Sequence, residues 1–197
     1  SALKPCETYL ECFKQWEQFL NLDVDDYVSG LKHAVPNDEE YEEDQEPDAP
    51  SIQVDLGMLR KTLTSHVDAK SKIEEDIPAE AITAGACELN AFALRTELGD
   101  KHMQIINKIL ATHSEHILEF SDFLDSRYKS MMRELCKQPE DIEGTAALEE
   151  YIGNMTNDLR ANQELIDEMR AMNAVLDEYF YRVEYSHFER QTSVALW

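Results

Sequence analysis

Residues 148–180 read LEEYIGNMTNDLRANQELIDEMRAMNAVLDEYF, and the apolar positions Ile152, Met155, Leu159, Ile166, Met169, Leu176 and Phe180 follow one another in alternating steps of three and four. That spacing predicts one long helix with a structural seam along one face. The same steps also reach Asn162 and Asn173, polar interruptions of the kind that fix register at some expense of stability. At about 1.5 Å per residue such a helix would be roughly 50 Å long, the length of a strut more than the wall of a pocket.

On the N-terminal side, Pro139 and Gly144 mark the connection to a preceding long helix, expected from about Asn90 to Lys137 through Leu98, Ile105, Ile109, Ile117, Phe120, Leu124, Tyr128, Met131 and Leu135. Two long neighbours joined by a short loop pack antiparallel and bury their stripes against each other. Upstream, Leu56, Leu59, Leu63, Val67, Ala69 and Ile73 trace a third helix that Pro78 stops. Between the two, residues 78–89 have little periodicity and are expected to form a short extended crossover, with at most one short strand.

At the N-terminus, Tyr9, Leu10, Phe13, Trp16, Phe19 and Leu20 have helical spacing and heavy aromatic content, which predicts one helix or two short ones docked by the aromatic face. Residues 36–51 hold eight carboxylates, three prolines and no base, so charge repulsion and missing amide donors predict a loop or linker. The fold class is therefore all-α, an elongated antiparallel bundle of long helices. Its segments are aromatic helices at 1–35, an acidic linker at 36–51, helices with the crossover at 52–143, and the long helix with its aromatic C-terminal continuation at 144–197.

Composition limits the function. Eighteen basic residues against 41 acidic ones give a formal charge of -23, which repels nucleic-acid phosphate and anionic lipid, so neither nucleic acid nor membrane is an expected partner. No apolar run is long enough to cross a bilayer and no signal core is present, and the expectation is a soluble intracellular chain. It begins at Ser1 without methionine and stops at Trp197 within an aromatic pattern, as a piece of a longer polypeptide would. Cys6, Cys12, Cys87 and Cys136 lack zinc-knuckle spacing and are expected to be reduced thiols in helices.

The candidate chemistry is thin. His113 and His116 flank Glu115 three apart, whereas a catalytic zinc site wants histidines four apart and a third ligand; a half-exposed pair on a helix surface is the simpler expectation. Asp23, Asp25 and Asp26 resemble the start of a calcium loop, but Val28 stands where the turn needs glycine and Ala34 where the bidentate glutamate belongs. No glycine-rich phosphate cradle precedes a lysine, and no serine or cysteine sits in an elbow motif. Catalytic, cofactor-binding and metal residues are accordingly none. Met155, Met169 and Met172 at helical spacing are expected to fill the core.

Residues 175–188, VLDEYFYRVEYSHF, with Trp197 after them, resemble dynein heavy chains where the tail bundle passes into the linker, and residues 77–85, IPAEAITAG, resemble a second piece of that region. The two lie in the family's order with two long helices between them, so the resemblance covers about Ile52 to Trp197. The N-terminal segment and acidic loop are more similar to axonemal than to cytoplasmic heavy chains, while Arg182 and Ala86-Cys87 depart from the family's bulkier pattern. The resemblance implies a non-catalytic stem segment of a microtubule motor of the axoneme in cilia or flagella. It also implies a parent chain whose ring binds ATP and magnesium outside these residues.

The partners so implied are the rest of the heavy chain, dynein intermediate or light chains and axonemal docking proteins, with Tyr179, Tyr181, Tyr185, Phe188 and Trp197 as the aromatics leading into the linker. The alternative is a helical adaptor or scaffold module of another cytoskeletal coiled-coil or spectrin-like protein, whose exposed face recruits a partner; light or intermediate chains held through Tyr9, Phe13, Trp16 and Phe19 would fit a dynein stem too. Which dynein arm and which light chains are involved is not written in the residues.

Overall fold

The structure, a computed structural model, describes residues 4–11, 13–31, 54–85 and 87–195; the acidic run at 36–51, Cys12 and Trp197 lie outside them. The fold is all-α apart from one hairpin among those residues. In chain order it comprises α1 (Lys4–Glu11), a 3-10 turn (Lys14–Trp16), α2 (Glu17–Leu20), α3 (Val24–Ser29), α4 (Leu56–Asp76), β1 (Ile82–Ala84), β2 (Cys87–Leu89), α5 (Phe92–Leu135), α6 (Ile142–Glu178) and α7 (Tyr185–Ala195). The chain divides into two compact units, and the boundary falls within α5, between Thr112 and His113.

In the first unit, local chemistry sets the helix ends. The Asp55 carboxylate accepts from the amides of Gly57 and Met58 and starts α4. Pro78 stops it by forcing Ile77 into extended backbone, φ -109° and ψ 107°. Asp23 caps α3 in the same way, accepting from the Asp25 and Asp26 amides, and so forms a helix junction. The Arg95 guanidinium reaches the Glu74 carbonyl and His102 meets His66, so α4 and the first part of α5 run antiparallel.

The crossover differs from the expectation of at most one strand. It is a two-stranded antiparallel hairpin pairing Ile82 with Leu89, Thr83 with Glu88 and Ala84 with Cys87. Gly85 supplies the left-handed turn position, φ 67°, and three-residue strands are too short to show alternation in sequence. Trp16, Ile73, Ile77 and Leu98 form a core with Phe13, Phe19 and Leu20 packed against it, so the N-terminal aromatics do dock inward. Trp16 is therefore occupied, and the aromatic face that either reading would offer to a partner is largely consumed by this unit's own core.

The second unit is built on the later part of α5, with α6 and α7. Met131 meets Asn162, Ser121 meets Met169 and His113 meets the Met172 carbonyl; as one number rises the other falls, so this pair is also antiparallel. The helix α6 begins at Ile142, earlier than the stripe implied, because Asp141 accepts from the Gly144 amide at 2.6 Å. Gly144 thus lies inside the first turn and not in the connection. A Cβ there would stand 3.0 Å from Asp141 Oδ1, so the cap itself favours glycine.

Candidate functional site

The stripe on α6 is buried over its second half. Ile166, Met169 and Leu176 are buried with Asn162, Met172 and Val175, whereas Ile152 and Leu159 are 47% and 43% exposed and Met155 is half-buried. The seam drawn from the sequence needs correcting at these positions. A strict seven-residue repeat drifts about 20° per heptad on a straight helix. Registered at Leu176, the stripe has turned away from α5 by the time it reaches Leu159 and Ile152.

Polar groups are buried inside this seam. The Asn162 amide nitrogen lies 3.7 Å from Met131 Sδ, while its carbonyl oxygen is buried without a hydrogen-bond partner. Ser121 donates to the Ile117 carbonyl and stands 3.2 Å from Met169 Sδ. Such groups cost stability relative to an apolar seam, but a slip of either helix would strand more of them. Asn173, the second interruption, turns its amide to the Met169 carbonyl within its own helix.

Phe180 leaves the stripe altogether. The Tyr181 amide donates to the Leu176 carbonyl at 2.9 Å and the Phe180 amide to the Asp177 carbonyl at 3.1 Å, the paired bonds of a Schellman ending. This places Phe180 at the left-handed position, φ 53°, where glycine is usual, and its ring is 91% exposed. The helix ends before the three-four step can bury it. Tyr185 and Phe188 on α7 are also exposed, at 73% and 58%, and Tyr179 and Tyr181 are half-buried.

The helix α7 docks through buried Val194 and an Arg190–Asp122 ion pair to α5. A groove of about 320 Å³ separates it from α6, lined by Met169, Asn173, Leu176, Val183, Phe188 and Gln191 among others. Of the three exposed aromatics, Phe188 lines this groove.

The histidines are arranged otherwise than expected. His113 and His116 are buried, not half-exposed, with His113 Nε2 3.2 Å from the Met172 carbonyl and His116 Nδ1 3.7 Å from Glu119; Glu115 points to solvent. Among the described residues no group of three or more His, Cys, Asp or Glu comes together to hold a metal. The close pair is instead His66 and His102, Nδ1 to Nδ1 at 3.0 Å, with the Tyr27 hydroxyl 3.2 Å from His66 Nε2. Trp16 and Phe19 flank His102. Burial lowers both histidines and the neighbouring imidazole adds to it at His102, held at about 4. Both occupy inward positions of their helices, the one signal in the sequence, but nothing there pairs them.

Comparison with known proteins adds a second line. No protein-family model matches the chain. Its whole length aligns over 196 residues, at 18% identity, with "Dynein axonemal heavy chain 1" of Mus musculus. The likeness is to dynein heavy chains. The human protein of the same name matches 71% of the chain at 20% identity over 139 residues. The homology is weak, and the chain spans only about 4% and 3% of these relatives' lengths. Among the described residues no helix is long and apolar enough to cross a membrane.

Proposed function

We propose that this chain is a non-catalytic stem segment of an axonemal dynein heavy chain, joining the anchored tail to the linker that carries force from the ATPase ring. The observation that carries the reading is the full-length likeness to such a heavy chain, in a chain whose described residues are long helices paired by buried seams. Paired helices suit the task physically. Bending one against the other shears a packed interface, and burying apolar area stabilises that interface by about 25 cal/mol per Å². Phe180, Tyr185 and Phe188, exposed at and after the end of α6, are in this reading the grip for the linker.

ATP and magnesium would act in the parent chain's ring; no glycine-rich cradle with a lysine exists in these 197 residues to hold them. The partners in this reading are the remainder of the heavy chain, its intermediate or light chains and axonemal docking proteins, and the location is the axoneme of a cilium or flagellum. The purified chain should be strongly helical by circular dichroism and should not hydrolyse ATP with magnesium present. Saturable turnover that copurifies with the chain would contradict the reading.

A second reading rests on the exposed apolar residues Ile152 and Leu159 of α6 and Met132 of α5. They suit a helical adaptor or scaffold module of a cytoskeletal coiled-coil or spectrin-like protein, in which a partner helix covers them.

A further inference from the structure

The fold brings together two thiols that are far apart in sequence. Cys6 on α1 is buried, and its Sγ donates to the Ala84 carbonyl oxygen at 3.5 Å. Ala84 ends β1 and is the cross-strand partner of Cys87 at the start of β2. Cys6 therefore reaches the end of the hairpin at the residue that faces Cys87 across the strands, and both thiols are free. They differ in access: Cys87 is half-buried, whereas Cys6 is covered. Burial and the Cys87 thiol raise the pKa of Cys6, so it remains a protonated donor and a poor first nucleophile.

We propose that Cys6 and Cys87 form a dithiol site that a peroxide-class oxidant closes to a disulfide, tying α1 to the β1–β2 hairpin. The half-buried Cys87 is the point of attack. Its thiolate displaces hydroxide from hydrogen peroxide, so an S–O bond forms, the O–O bond breaks, and the hydroxide leaves as water after protonation. Cys6 then gives up its proton as its sulfur attacks the Cys87 sulfur; the S–S bond forms, the S–O bond breaks, and a second water departs. Two thiols lose two electrons in total and one peroxide becomes two waters. A dithiol reductant reverses the bridge by exchange.

The site has a structural consequence because α1 is short. Eight residues cannot hold a helix by themselves, so α1 depends on what it packs against. A bridge to the hairpin closes a long loop and removes entropy from the unfolded chain, fixing α1 in place without a new packing contact. Release of the bridge leaves α1 held by its side-chain contacts alone.

The test uses the 197-residue chain with Cys12→Ser and Cys136→Ser, treated with one equivalent of hydrogen peroxide, alkylated and mapped by mass spectrometry. The expected result is a peptide joining Cys6 to Cys87, lighter by two hydrogens than the reduced pair, with a thermal midpoint raised by roughly 5 °C or more and restored by dithiothreitol. In the same background Cys87→Ser should abolish the joined peptide and the shift while leaving the helical spectrum unchanged. Separate alkylation of both thiols after oxidation would overturn the proposal, as would Cys87 passing to sulfinic acid without a bridge. So would a bridge from Cys87 to Cys12 in the unsubstituted chain.

Discussion

His102 carries an electrostatic cost. Fully buried between Trp16, Phe19 and His66, it is held at about 4 by desolvation first and by the neighbouring imidazole second. An unfolded histidine titrates near 6.5. Between those values the unfolded chain binds a proton that the folded chain refuses, so stability falls as pH drops from about 6.5 toward 4. The loss approaches about 3 kcal/mol at the lower end, and His66, lowered by burial as well, adds in the same direction. Glu11 and Glu74, held below 4.5 by Lys14 and Lys70, lose their contributions only at lower pH. Denaturant melts at pH 7 and pH 5 should therefore differ, and His102→Gln should reduce the difference; equal pH slopes for the two proteins would refute this assignment. Phe180 stores a second cost, since a non-glycine residue at φ 53° is strained by about 1–2 kcal/mol. Phe180→Gly should raise stability by up to about 1 kcal/mol in a thermal melt, because the exposed ring has no packing to lose; a lower midpoint would show that the ring contributes to the fold.

At the scale of elements, the seam is the feature most open to test. Ile166→Asp places a carboxylate at a 6% exposed position facing α5, which costs several kcal/mol or forces protonation. Leu159→Asp, at 43% exposure, should cost less than about 1 kcal/mol. A paired comparison of melting midpoints checks this, and equal losses would mean that the stripe is buried over its whole length. The sequence made the helices and their stops readable: Asp55, Pro78 and Asp141 act through neighbouring backbone groups, so their effect is local. The phase of the seam was not readable to the same degree, because it depends on drift accumulated over several turns relative to a partner helix. For the same reason the sequence puts His113 and His116 on the surface, where the fold does not. Three-residue steps on α5 show that they are neighbours, but only the position of α6 shows which side they face. The hairpin has no sequence signal because strands of three residues carry no period, and the meetings of His66 with His102 and of Cys6 with the Ala84 carbonyl are tertiary facts with no local signature.

For the molecule as a whole, an all-α chain with antiparallel helix pairs is what a mechanical element requires, and many proteins meet that description. The narrower reading rests on likeness to a heavy chain along all of the chain, supported by exposed aromatics where α6 gives way to α7. A charge of -23 suits a protein kept off anionic surfaces, including the acidic microtubule lattice, unless basic partners intervene. In the proposed reading these 197 residues are about one twenty-fifth of a motor polypeptide. The decisive experiment is to isolate the native polypeptide with an antibody raised against residues 142–178 and sequence it by mass spectrometry. The account predicts a single very long chain in which these residues precede a linker and six nucleotide-binding modules; a chain of a few hundred residues, or a long one without those modules, would contradict it.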